Sequence, residues 1–231
     1  MLSDQLLSVL RATDTPTVCN AIEVAQGVRG FANFSRQTIF ISERDGPSMV
    51  GQALTAKISA IAPPLDPEEA KELRMKYYEY VAKSPRPSVV VIEDEDGPAA
   101  CGAFWGEVNT TIHKGFGLSG VITNGLVRDL GALPSGFPVI AGAVGPSHGF
   151  VHVTEFGGPV QLFGMYVAPG DLIHADRHGA AVIPADVVDK LEEAISKLIE
   201  TEKLILEPAS ADDFDFDKFK EAWAAFEAAR T

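Results

Sequence analysis

The chain has 231 residues, 46% of them hydrophobic, which is enough to bury a full core, and its formal net charge is -13 at pH 7. That acidity argues against a nucleic-acid surface, where basic side chains must replace condensed counterions, and against binding an anionic membrane. Cys19 and Cys101 are too few for a disulfide framework or a four-thiolate zinc site and read as reduced and structural; with no basic leader and no apolar run of about 18 residues, a soluble, cytoplasmic protein is expected.

Leu6, Leu7 and Leu10 stand at helical spacing and predict a first helix over Ser3 to Arg11. Thr15-Pro16-Thr17 opens a second helix through Gln26, ended by Gly27 and Gly30. Strands are expected over Gln37 to Ile41 and Leu54 to Ile61, separated by the turn Arg44-Asp45-Gly46-Pro47. Asp66-Pro67-Glu68 starts a helix, because the carboxylate accepts from free amides and proline has no N–H to leave unpaired at the first position. It runs to about Lys83, and Pro85 and Pro87 stop it. Ser88 to Ile92 is a continuous apolar run of the kind found in strands buried on both faces.

The acids Glu93-Asp94-Glu95-Asp96 fall at the carboxyl end of that strand, where open α/β sheets tend to bind ligands, but a solvated acidic turn is the commoner fate of such a run and is preferred. Gly102 and Gly106 either allow close backbone approach or make a turn, and a helix starting at Glu107 aims free N–H groups at whatever lies before it. Gly115, Gly117 and Gly120 match the spacing of a dinucleotide fingerprint in the wrong context: a helix precedes and a strand follows, so they read as a helix stop and a tight loop.

Gly120 to Asp129 is the stretch around which the chain is organised. A short β-branched strand runs into a glycine turn that presents Arg128 beside Asp129. A guanidinium that stays cationic holds a carboxylate or polarises a carbonyl, and the adjacent carboxylate can bind a hard cation; alone, such a pair is more often a surface ion pair. Beyond it, strands are expected over Val139 to Ala143, Val160 to Phe163, Met165 to Val167, Leu172 to Ala175 and Ala180 to Ile183. His174, Asp176 and His178 would share one face of a strand, but Asp176 to Gly179 is turn chemistry and breaks the trio as a zinc site. His148 and His152 flank a loop glycine and are no better placed for a metal. Pro184 to Leu206 predicts a long amphipathic helix ended by Pro208, followed by a tail helix whose Phe216, Phe219, Trp223 and Phe226 form a stripe that must bury in a core or between subunits.

Mixed strands and helices in this order give an α/β fold with a central sheet. Gly106-Glu107, then Gly120-Val121, Gly125, Val127 and Arg128-Asp129, then Pro169-Gly170-Asp171, Ala175-Asp176 and Gly179 ahead of a proline-started helix resemble the family named for the regulator of ribonuclease E activity A. That family includes the 4-hydroxy-4-methyl-2-oxoglutarate aldolases, also active as oxaloacetate decarboxylases. The likeness covers roughly Thr15 to Glu202. It implies a swivelling β/β/α-type fold, with residues 1–207 as the family domain and residues 208–231 as a C-terminal helical extension. It also implies a homotrimer or homohexamer with sites between subunits.

The resemblance further implies a divalent-metal-dependent class II pyruvate aldolase cleaving a 4-hydroxy-2-oxo diacid, with oxaloacetate decarboxylase side activity. The backbone amides of Gly106, Glu107, Val108 and Asn109 would hold a substrate carboxylate, Arg128 would contact the 2-oxo acid, and Asp129 would be the protein ligand of Mg2+ or Mn2+. Glu107 is the candidate base for the C4 hydroxyl proton. Two features depart from the pattern: Asn124 stands where many relatives have aspartate, and the acid that relatives lend from a neighbouring subunit has four possible counterparts, Glu192, Glu193, Glu200 and Glu202. The alternatives are a non-catalytic, ribonuclease-inhibitor-like protein-binding regulator, to which an acidic surface suits docking on a basic partner, and a lyase of the same site acting on another 2-oxo or sugar acid.

Overall fold

The computed structural model describes residues 2–230 as two compact units. One joins the segment up to Thr15 with Ala32–Ala185; the other joins Pro16–Phe31 with the segment from Asp186 on. The first begins with α1 (Asp4–Ala12), whose N-cap Ser3 side chain accepts from the Leu6 amide, as the leucine spacing implies. Helix α2 (Thr15–Gln26) carries the chain out of this unit.

Strands β1 (Phe40–Ile41), β2 (Met49–Ser59) and β3 (Ser88–Asp94) follow, with α3 (Pro67–Lys83) between the last two. Asp66 caps α3 by accepting from the amides of Glu68 and Glu69, both at 3.0 Å. Helix α4 (Glu107–Gly115) and strand β4 (Val121–Thr123) flank the glycine-rich loop in helix-then-strand order, as its sequence context required. Then come β5 (Leu126–Val127), β6 (Val139–Ala141), β7 (Ala143–Val144), β8 (His152–Phe156), the hairpin β9 (Val160–Leu162) and β10 (Met165–Val167), β11 (Leu172–Asp176) and β12 (Gly179–Ile183).

The central sheet is mixed, in the order β1-β6-β4-β3-β2-β11-β12, with β8 also paired to β2. Strands β2, β3, β4 and β6 are mutually parallel, so their carboxyl ends share one edge of the unit. Both faces of β3 are covered: Val90 and Ile92 pack with Leu54, Tyr77 and Val81, while Val89 and Val91 pack with Ile122, Ile140 and Met165. Two-sided burial explains its unbroken apolar run.

Several boundaries moved. Strand β2 begins at Met49, because Met49–Gln52 pair with β11 and its far half pairs with β8. Neither partner is visible locally. The expected strand from Gln37 shrinks to the two residues that meet β6, and β5, β7 and β8 are additional. In the second unit a short 3-10 turn precedes α5 (Val188–Ala209), which buries Leu191, Ile195 and Leu198 and continues through Pro208 into its last turn. Helix α6 (Phe216–Arg230) carries the aromatic stripe as a ladder of rings 5.6 to 5.9 Å apart. Within this chain the ladder is only partly buried: Phe216 is 70% and Trp223 41% exposed. Among the described residues no helix is long and apolar enough to cross a membrane.

Candidate active site

The Gly120 to Asp129 stretch leaves the sheet in three fixed steps. Asn124, just past β4, clamps the end of β3 with two bonds: its Oδ1 accepts from the Asp94 amide at 2.7 Å and its Nδ2 donates to the Asp94 carbonyl at 2.9 Å. An aspartate there could accept but not donate, so the amide is tied to this local geometry. Gly125 then passes so close to β3 that a Cβ would lie 2.6 Å from Asp94 Oδ2. Finally β5 pairs with β7, and the Arg128 amide donates to the Trp105 carbonyl at 2.9 Å, which brings the strand end against the start of α4.

Asp129 turns there with φ of +56°, a left-handed conformation that costs energy for a residue with a Cβ, and its carbonyl accepts from the Ala132 amide at 2.8 Å. Its carboxylate accepts from the Glu107 amide at 3.2 Å and stands 3.4 Å from Arg128 Nη1. Only glycine fits before that helix, because a Cβ on Gly106 would sit 2.5 Å from Asp129 Oδ2 and 3.0 Å from Arg128 Cγ. Gly106, Glu107, Arg128 and Asp129 therefore converge as expected. The Glu107 amide is occupied by Asp129, leaving the Val108 and Asn109 amides as first-turn donors without a helical partner.

Helix α4 is anchored from beneath. Tyr77 Oη donates to His113 Nε2 at 2.8 Å and His113 Nδ1 donates to the Asn109 carbonyl at 2.6 Å; burial drives the imidazole pKa down to about 4, so the ring stays neutral. Tyr78 Oη donates to Asn109 Oδ1 at 2.6 Å, and Asn109 Nδ2 donates to the Phe104 carbonyl. The Asn109 side chain is thus committed to holding the loop.

Val108, Asn109 and Arg128 line a hollow of about 610 Å³. Gly106, Glu107 and Asp129 stand beside it without lining it. Its other walls include Arg74 and Tyr78 of α3, with His148 and His152. These four carried no assignment in the sequence. Arg74 and Tyr78 are one helical turn apart, but nothing local says that their face meets α4, and the histidine spacing by itself says nothing about Arg128. Each histidine donates Nδ1–H to a nearby carbonyl, His148 to Gly149 at 2.7 Å and His152 to Phe150 at 2.8 Å, so a neutral ring keeps a bare Nε2.

The acidic run is a solvated turn only in part: Glu95 and Asp96 turn after β3 with Glu95 exposed, whereas Glu93 and Asp94 belong to the strand and all four carboxylates have partners. Asp96 accepts from the Ala60 amide at 2.6 Å and from Ser59 Oγ, Glu95 from Thr154 Oγ1, and Glu93 from the Gln161 amide. Asp94 is 1% exposed; Oδ1 accepts from the Asp96 amide, while Oδ2 has no hydrogen-bond partner. Burial, helped by the charges of Asp96 and Glu95, pushes its carboxyl up to about 6. Trp105 Nε1 and Arg128 Nε are also buried without partners at this end of the sheet.

His174, Asp176 and His178 do not gather as a metal site. His174 Nδ1 faces Thr15 Oγ1 at 3.0 Å and its Nε2 donates to the Leu10 carbonyl at 2.9 Å, while Asp176 accepts from the amides of Thr15 and His178. Among the described residues no group of three or more His, Cys, Asp or Glu side chains is placed to hold a metal. Neither Cys19 nor Cys101 forms a disulfide among the described residues, and Cys101 is exposed rather than enclosed.

Residues 15–182 match the family model described as RraA-like, Aldolase/RraA. The chain is 32% identical over 123 residues to protein DlpA of Legionella pneumophila, covering 52% of this chain and 19% of that protein. It is also 32% identical over 107 residues to uncharacterized protein MJ0644 of Methanocaldococcus jannaschii, covering 46% of this chain and 51% of the relative. The chain therefore spans about a fifth of the one and half of the other. Among solved structures, an uncharacterized protein from Pseudomonas syringae pv. tomato superposes with a TM-score of 0.70 at 19% identity, covering 100% of this chain and 98% of that one. Streptomyces coelicolor RraAS2, described as an unusual member of the RNase ES inhibitor RraA protein family, gives 0.62 at 23% identity over 87% and 93%. A structure described among novel cellulases from gut-associated microbes gives 0.71 at 22% identity over 88% and 87%. At such identities these likenesses establish a shared mixed α/β fold.

Proposed function

Because the chain belongs to the RraA-like family, in which aldolases stand beside ribonuclease inhibitors, we propose that it is a divalent-metal-dependent carbon-carbon lyase. Its substrate would be a 4-hydroxy-2-oxo diacid cleaved to pyruvate, with oxaloacetate decarboxylation at the same site. The observation that supports this best is the convergence of Arg128 and Asp129 on the start of α4 beside a hollow that exposes Arg128. A docking surface has no need of a strained aspartate held between a helix amide and a guanidinium.

The donor set is compatible with Mg2+ or Mn2+. Asp129 would be the one protein ligand, and a hard cation that keeps several waters needs few carboxylates when the substrate supplies further oxygens. When bound, the ion supplies positive charge that stabilises the enolate left by carbon-carbon cleavage. The chain's own residues do the rest. The Val108 and Asn109 amides, at the positive end of α4, receive the carboxylate next to the ketone. Arg128 donates to the keto oxygen, where negative charge develops, and its planar fork fixes the orientation. Glu107, exposed at the first position of α4, takes the C4 hydroxyl proton in aldol cleavage. Decarboxylation requires no such base, since loss of carbon dioxide leaves the same enolate.

The working form is proposed to be a homo-oligomer, a trimer or hexamer, to which the exposed Phe216 and Trp223 lend support as apolar surface seeking cover. Pyruvate release from a panel of 4-hydroxy-2-oxo diacids and oxaloacetate tests the reading. Activity should stop in excess chelator and return with Mg2+ or Mn2+. Full activity in chelator would remove the metal from the account, and no pyruvate from any member of the panel would remove the lyase.

A further inference from the structure

The hollow beside Arg128 is unlike the rest of the chain in charge. The sequence has 32 Asp and Glu against 19 Lys and Arg, yet the hollow is lined by Lys71, Arg74, Arg128, His148 and His152 and by no carboxylate. Three of these, Lys71, Arg74 and Arg128, carry charge at neutral pH. Lys71 stands 3.8 Å from Glu68 and Arg128 3.4 Å from Asp129, so among the described residues Arg74 is the cation of this wall that no carboxylate pairs, and the one with charge to offer an anion.

The cations are also divided in space. Arg128 stands at the strand end beside α4, whereas Arg74 and Lys71 belong to α3. Arg74 is fixed rather than trailing in solvent: its Nη2 donates to the Val151 carbonyl at 2.9 Å, and its charge acts on the hydroxyl of Tyr78, which donates to Asn109. That bond uses one of five guanidinium donors, and no carboxylate among the described residues pairs with the group. A ligand held by one carboxylate at the α4 amides and by its keto oxygen at Arg128 would extend into the hollow toward α3.

We infer that Arg74 anchors the second carboxylate of the substrate, so that this hollow selects 2-oxo diacids over 2-oxo monoacids. The inference rests on the lyase reading for its substrate class, but not for its charge arrangement. Arg74 is a specificity-determining residue here, remote from the bond that breaks.

Calorimetric binding of 2-oxoglutarate, a diacid with no cleavable 4-hydroxyl, and of 2-oxobutyrate, a monoacid, tests it on the full chain with Mg2+ present. The wild type should bind the diacid more tightly. Arg74→Met should weaken the diacid by roughly 10- to 100-fold, the usual loss of a charge-assisted hydrogen bond, and leave the monoacid within about twofold. Arg74→Lys, which keeps the charge but not the fork, should fall between, and this separates lost charge from a disturbed loop at Val151. Equal weakening of both acids by Arg74→Met, no weakening of either, or no binding of the diacid by the wild type overturns the inference. If the selectivity behaves as expected and no panel substrate yields pyruvate, the lyase reading fails and the diacid site stands.

Discussion

At one end of the central sheet Asp176 accepts from the amides of Thr15 and His178, and both ring nitrogens of His174 have partners near 3 Å. At the other end Arg128 and Asp129 meet at 3.4 Å, Arg128 Nε and Asp94 Oδ2 have no partner, and the Glu107 side chain is exposed. The residue types are alike. The difference is satisfaction: a cluster whose buried polar groups all have partners holds the fold together, whereas one with unpartnered buried atoms and a strained backbone retains capacity for a ligand. By that measure the His-Asp-His trio, the more suggestive motif on paper, is a strap between β11 and the start of the chain.

The sharpest way to break this contrast is to remove the exposed acid at the open end. Glu107→Gln keeps the shape and the amide bonded to Asp129, so aldol cleavage should drop by roughly 10²- to 10⁴-fold while oxaloacetate decarboxylation stays within about tenfold. An equal fall in both rates, with metal affinity unchanged, would show that another acid is the base. Next in size, Arg128→Ala should lower both reactions by on the order of a hundredfold or more, and Arg128→Lys should not restore them. Melting temperature is the control, since a group with unmet hydrogen bonds contributes little to stability and the melt should barely move.

Stability changes should have opposite signs at the two ends. Asp94 is raised from an ordinary 3.8 to about 6, so its contribution is full below the unfolded value and is lost as pH rises through 6. Asp94→Asn should therefore stabilise the protein above pH 6, by on the order of 2 kcal/mol, with the gain vanishing below about pH 4. His113 runs the other way: lowered from 6.5 to about 4, it supports the fold above 6.5 and withdraws that support as pH falls through 4. Denaturant melts of wild type and Asp94→Asn across pH 4 to 8 would show this, and a variant less stable at pH 7 would mean that Asp94 is held by something other than burial. At the closed end, Thr15→Val leaves His174 Nδ1 buried without its donor and should cost about 1 to 2 kcal/mol with no change in kcat.

Much of this was legible before any coordinates. The Asp66 cap and Pro67 set the start of α3, the unbroken Val89 to Ile92 run marked a strand covered on both faces, and helix-before-strand order ruled the glycines at 115, 117 and 120 out of a dinucleotide turn. Each depends on interactions within a few residues, which spacing reports directly. Gly106, Glu107, Arg128 and Asp129 were also legible as a group, because the motif fixes them at strand and helix ends that a parallel sheet brings together. What only tertiary structure decided lay between distant segments. Asp94 became buried because β4 returns beside β3 and Asn124 clamps its backbone, so a run of four acids that looks solvated in one dimension supplies caps and one unpaired carboxyl oxygen. Arg74, His148 and His152 reach Arg128 across 54, 20 and 24 positions of chain, and the packing that puts them around one hollow leaves no periodic trace in the sequence.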